Sequence, residues 1–229
     1  MIKKLTITLI TTFFVMFSAL ADSTNVGFRI SAATLAASGS ETTDSGSIGS
    51  GGAAVAQKER DGSFTLPSLF VERELELGML NISLGLDYVP LTEEVAKLGG
   101  GDGTDATVSA GNLMTAYIQP SFALNDKVSI FGKVGYSSGD LEITNVSRQA
   151  STTTTGDADG TDAAQDKNLE GAIFGLGIQV NNDIGLFNFV RLEATRTDFD
   201  QIQHTNSNGK ILKADAEMDL ITLTIGKSF

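Results

Sequence analysis

The feature that most constrains the fold is a strict alternation of short and long links between period-two segments. About eight stretches alternate apolar and polar residues, the repeat of a strand with one apolar face. They are 25–36, 63–73, 79–89, 113–124, 128–144, 169–180, 186–198 and 211–229. The links at 74–78, 125–127 and 181–185 are short and rich in Asn, Asp and Gly, the chemistry of tight hairpins. The links at 37–62, 90–112, 145–168 and 199–210 are long and low in complexity. In an antiparallel meander this order puts every long loop at one end and every short turn at the other, with both termini at the short-turn end. The expectation is an all-β, up-and-down transmembrane β-barrel of about eight strands, an architecture that spans lipid without a long apolar run.

The N-terminus fits export. Lys3 and Lys4 precede an apolar run that ends at Ala19-Leu20-Ala21. This reads as a signal peptide over 1–21, cut before Asp22, with the barrel domain over 22–229. The chain has no Cys, so a disulfide-built exported domain is excluded. It carries 28 acidic and 16 basic side chains. Such a balance argues against nucleic-acid binding, which needs a basic footprint.

The C-terminus is unusual for a soluble domain, whose ends fray into polar residues. Ile221, Leu223, Ile225 and Phe229 share one parity to the last residue. A terminal strand of this kind pairs with the first strand and closes the barrel. Alternation alone does not say which face points inward. A soluble lipocalin-like barrel would bury the apolar face, whereas a membrane barrel turns it to lipid.

The segments SLFVERELELGMLNISLGLDYVP (68–90) and NFVRLEATRTDFD (188–200), with the final TIGKSF, resemble the small outer-membrane β-barrel family of OmpA-like, OmpX-like and opacity type. The resemblance implies a monomeric barrel in the outer membrane of a Gram-negative bacterium, with its termini in the periplasm. It also implies that the terminal residues Ile221, Leu223, Ile225 and Phe229 act as a signal to the outer-membrane insertion machinery. No periplasmic peptidoglycan-binding domain is expected after Phe229. The family does not fix an activity, because its members act as adhesins, anchors, small pores or enzymes.

On the membrane reading the polar face lines the lumen. Arg29, Lys133 and Arg191 would then stand inside with Glu72, Asp87 and Glu193, their signs balanced. Arg29 and Glu72 sit at similar levels of neighbouring strands and could pair. Buried charges must be paired, so a salt-bridged plug is expected, with a gated ion path as the alternative. Gly171, Gly175 and Gly177 on one inward face would leave local space.

Two loop pieces, 99–105 and 156–162, are rich in Asp and Gly and could hold divalent cations that bridge to lipopolysaccharide phosphates. Their spacing matches no complete calcium motif. His204 is the single histidine and is expected in the last long loop, with no visible catalytic partner. No cofactor and no enzyme activity are expected. The functional expectation is a structural or surface-interaction barrel acting through acidic extracellular loops. The alternatives are a small porin or hydrophobic-solute conduit and, further off, a lipid-acyl hydrolase.

Overall fold

The computed structural model describes residues 23–43, 55–99, 105–144, 165–205 and 210–229. Nine strands are β1 (Ser23–Thr43), β2 (Val55–Leu77), β3 (Leu80–Val89), β4 (Glu93–Gly99), β5 (Asp105–Ala123), β6 (Val128–Thr144), β7 (Gln165–Ile184), β8 (Phe187–Thr205) and β9 (Lys210–Ser228). Each pairs antiparallel with its neighbour, and β3 and β4 both lie along β5. They are two pieces of one stave, so the sheet closes as an eight-stave, up-and-down barrel.

The break in the third stave falls at Pro90-Leu91-Thr92. Proline has no N–H to give the ladder. Opposite the break, Asn112 adopts a left-handed φ of 49°. Gly111 lies under Thr92 so closely that a Cβ there would come within 2.3 Å of the threonine hydroxyl. β4 and the start of β5 therefore occupy part of the stretch expected as a loop at 90–112. Strands also run through 37–43, 55–62 and 199–205. His204, expected in a loop, lies on β8 opposite Leu212 of β9, because the hairpin ladder continues past the Phe199–Ile202 irregularity.

The short links behave as their residues dictate. Gly78 and Gly185, with φ of 76° and 70°, open two-residue turns, the glycine-first hairpin geometry. In the third turn the Asn125 side-chain oxygen accepts the backbone N–H groups of Lys127 and Val128. β1 and β9 pair from Asn25↔Ser228 to Thr43↔Lys210. Phe229 exchanges two backbone hydrogen bonds with Thr24, at 2.9 and 3.0 Å. The apolar terminal stretch is thus the closing seam of the barrel.

The apolar parity points outward. Phe28, Ile30, Val134, Leu176, Leu192, Ile221 and Leu223 are each about half exposed or more. An apolar belt of this extent does not persist on a soluble monomer, and it suits hydrocarbon. Toward the long-link end the polarity inverts without any change of parity. On β8 the outward series Val190, Leu192, Ala194 gives way to Arg196, Asp198, Asp200. On β9 the outward Ile225, Leu223, Ile221 give way to Asp219, Glu217, Asp215. At that height the inward residues turn apolar, with Leu35, Leu66, Val89, Leu141, Leu169, Phe199 and Met218 packed as one buried cluster. The barrel is inside-out in its lower section and conventionally hydrophobic inside its upper section.

This inversion predicts opposite responses to charge at two heights. Leu223→Arg, in the belt, should cost about 2–4 kcal/mol in urea titrations of the bilayer-embedded chain. Glu142→Arg, outward on the upper section, should stay within about 0.5 kcal/mol.

Candidate functional site

All six expected lumen charges lie in the lower section of the barrel interior. Their hub is Glu72, which is fully buried. Arg191 reaches it from β8 as a two-pronged fork, Nη1 and Nη2 donating to the two carboxylate oxygens at 2.6 and 2.8 Å. Arg29 donates to Glu72 at 3.3 Å and to Asp87 at 2.5 Å. The Tyr117 hydroxyl donates to Glu72 at 2.6 Å and accepts from Arg29 at 2.7 Å. Asn25 adds an amide N–H at 3.4 Å.

The Arg191–Glu72 pair spans the lumen, because β9 and β1 stand between their strands. The second pair, Lys133–Glu193 at 2.5 Å, joins β6 to β8 across β7. The intervening stave presents Gly175 beside Lys133 and Gly177 beside Glu193. The expected Arg29–Glu72 pairing is present. Arg191 and Glu193, two apart on one face, take different partners.

Aromatic rings pack the charges. Arg191 lies 4.6 Å from the centroid of Phe189 and 5.7 Å from those of Phe70 and Phe131. Arg29 lies 4.4 Å from Phe70, and Lys133 4.4 Å from Tyr117. A guanidinium over a ring face keeps electrostatic stabilisation where water is excluded. Several rings need glycines across the ladder. A Cβ on Gly85 would strike the Tyr117 ring at 2.2 Å, one on Gly226 the Phe189 ring at 2.2 Å, and one on Gly177 the Phe131 ring at 2.3 Å. The local space expected at Gly177 is therefore filled by a neighbour's ring.

Sequence reasoning identified the charges but missed their packing. Phe70 precedes Glu72, Phe131 precedes Lys133 and Phe189 precedes Arg191, each by two residues on the same face. That repeated ring-then-charge spacing on three strands was the available signal. Tyr117 and Gln179, which accepts from Arg191 Nε, carry no comparable mark.

A second charged feature lies outside, above the belt. Arg196 forks onto Asp219 with two 2.7 Å bonds and approaches Glu217 at 3.6 Å. The hydrogen bonds from Arg196 hold the Asp219 carboxyl below its usual range. Nearby, the Tyr136 hydroxyl donates to Asp200 at 3.1 Å. Of the residues expected to act as a terminal insertion signal, Ile221, Leu223 and Ile225 are outward in the belt and Phe229 is 74 % exposed. The acidic loop pieces expected to hold cations, 99–105 and 156–162, fall almost wholly outside the described residues. Among the described residues, no cluster of acidic and histidine side chains has metal-binding geometry.

Removing one partner of the hub should be costly. Glu72→Gln leaves two buried guanidiniums without their shared counter-charge and should lose about 3–5 kcal/mol in denaturant titrations. Lys133→Met with Glu193→Leu should be more stable than either single variant, because a double-mutant cycle restores neutrality.

No family model and no curated protein sequence matches the chain. Solved structures do. The outer-membrane protease OmpT of Escherichia coli aligns over 91 % of this chain and 97 % of its own, with 8 % identity and a TM-score of 0.51. Ail, the attachment invasion locus protein of Yersinia pestis, aligns over 87 % and 99 %, with 12 % identity and a TM-score of 0.35. Neisserial surface protein A aligns over 90 % and 99 %, with 11 % identity and a TM-score of 0.43. Joined to the outward apolar belt and the closed antiparallel ladder, the OmpT alignment makes the fold that of an outer-membrane β-barrel.

Proposed function

We propose that this chain is a monomeric outer-membrane barrel, sealed to solutes and without enzyme activity, that works through the surface at its long-link end. The observation that carries this reading is the double filling of the lumen. A neutral cluster of three cations and three carboxylates blocks the lower section, and an apolar cluster occupies the upper one. Eight staves enclose only enough room for side chains. A path for ions would have to cross both layers, and at the second the buried Thr197 hydroxyl, opposite Met218, is too little to replace an ion's hydration.

The exposed band of Asp198, Asp200, Asp215, Glu217 and Asp219, broken by Arg196, gives the upper section a net negative exterior. On this reading it stands at and above the outer leaflet, with the termini on the periplasmic side. Its contacts with the phosphates of lipopolysaccharide would need divalent cations as bridges, since carboxylates repel phosphate directly. The terminal belt residues, with Phe229, would serve the insertion machinery.

A second reading has one observation in its favour. The β2–β3 ladder stops at Leu69↔Tyr88, and among the described residues β2 forms no ladder with β4 above it. A lateral route for a hydrophobic solute would open at that seam, beside Leu66 and Val89.

Planar-bilayer recording on the refolded chain tests the sealed reading. Folded protein, verified by heat-shifted gel migration, should give no discrete openings, and Arg191→Ala should stay silent because the apolar layer remains. Reproducible unitary steps in the wild type would overturn it. Accumulation of an uncharged aromatic solute in proteoliposomes, abolished by a disulfide joining β2 to β4 across the unpaired seam, would favour the lateral route instead.

A further inference from the structure

The outward charges are sorted by height. Above the belt they are mostly carboxylates, and Arg196 there is forked onto Asp219. On the lower part of the strands, among the described residues, the outward charges are two cations, Arg73 of β2 and Lys227 of β9. Both are partly buried. Each stands on a strand that flanks β1, Arg73 opposite Thr24 and Lys227 opposite Val26. Neither has a carboxylate partner among the described residues. The side-chain hydrogen bond of Arg73 goes to the Thr24 hydroxyl, and the Lys227 side chain makes none.

The stagger of the barrel brings these cations to one height. Followed strand by strand from Thr24 through Arg73, the ladder returns to β1 at Thr34, ten residues higher. Spread over eight staves, this is a rise of about one residue at each step. Arg73 is thereby raised a little above Thr24, and Lys227 is lowered as much below Val26. Their Cα atoms lie two strand spacings apart across the sheet and two residues along it, roughly 12 Å. The bond to Thr24 draws the guanidinium over β1, towards the lysine. Thr24 accepts that bond and keeps its own hydroxyl hydrogen for another acceptor. Above them on the same strand, Val26 and Phe28 continue the exposed apolar belt.

We propose that Arg73, Thr24 and Lys227 hold the headgroup phosphate of an anionic glycerophospholipid whose acyl chains lie on Val26 and Phe28. Phosphate oxygens accept from all three groups and bring the negative charge that two unpaired cations lack. A guanidinium forks onto phosphate, and an ammonium meets it as a point charge. Long cationic side chains at a belt edge reach the headgroup level while their stems stay on apolar surface. A free anion would find the same donors but would bury nothing against the belt. A zwitterionic headgroup would bring its own cation. The choice of phospholipid over lipopolysaccharide rests on the orientation proposed above, which puts this edge of the belt in the periplasmic leaflet. The lipid then covers the closing seam, where Phe229 bonds to Thr24.

Native mass spectrometry of the detergent-refolded full chain, titrated with phosphatidylglycerol, tests the site. Heat-shifted gel migration reports the fold of every variant. One lipid should be retained at saturation, and phosphatidylcholine should bind at least tenfold more weakly. Arg73→Gln with Lys227→Gln should weaken phosphatidylglycerol at least tenfold. Lys127→Gln with Lys213→Gln removes the same charge elsewhere and should leave binding unchanged. If the first pair does not fold, Lys227→Gln decides alone. No saturable retention, undiminished binding by the Arg73 and Lys227 variant, equal loss in the control pair, equal affinity for phosphatidylcholine, or displacement by equimolar inorganic phosphate would each overturn the site. The orientation is read separately. The chain has no Cys, so Lys127→Cys on the exposed short turn reports alone, and a membrane-impermeant maleimide should not label it on intact cells. Labelling would overturn the orientation, and with it the choice of phospholipid, independently of the titration.

Discussion

Hydrocarbon offers no hydrogen bonds to a peptide group, so a sheet placed in lipid must have no edges. Everything else in this molecule follows from the way the chain meets that condition. The last residue, Phe229, bonds to Thr24, and β9 pairs with β1 along almost its whole length. Closure dictates antiparallel neighbours, hairpin turns at one end and a lumen too narrow to stay empty. The break in the third stave, at Pro90–Thr92, falls beside outward polar residues, where water can serve the freed backbone groups.

The lumen then poses its own problem. Eight inward faces converge on a space that excludes bulk water, and three cations must be held there. Pairwise salt bridges between neighbouring strands would leave much of the section unfilled. Instead Glu72 gathers two guanidiniums and a phenol, while Phe70, Phe131 and Phe189 occupy the remaining volume. The rings lie over glycines on adjoining strands, so backbone takes the place that side chains would otherwise claim. Charge neutrality and close packing are achieved by the same residues.

The inversion of polarity along each strand divides the barrel by solvent. Where hydrocarbon is outside, apolar side chains face out and the polar set is crowded within. Where water is outside, carboxylates face out and Leu35, Leu66, Leu141 and Met218 form an ordinary core. A residue's environment here is set by its parity and its height together, which is why parity read alone left the upper section under-described and assigned 199–210 to a loop.

Much was legible in the residues themselves. Period-two alternation gives strands because side chains in extended backbone alternate faces, and the short Asn/Gly links give hairpins because few residues tolerate their dihedrals. Strand order, the closing role of 221–229 and the inward parity of Arg29, Glu72, Asp87, Lys133, Arg191 and Glu193 all follow from such local rules. Partner choice does not. Arg191 could have paired with Glu193, its neighbour on the same face, yet it crosses the lumen to Glu72, 119 residues away. That outcome depends on register, on which staves lie opposite, and on glycines that open the path between Lys133 and Glu193. Those quantities exist only once the sheet has closed, because closure is what brings distant inward faces within hydrogen-bond reach. Local periodicity therefore determined the barrel and its polar lining, and the tertiary structure alone decided how that lining became one paired network across the lumen.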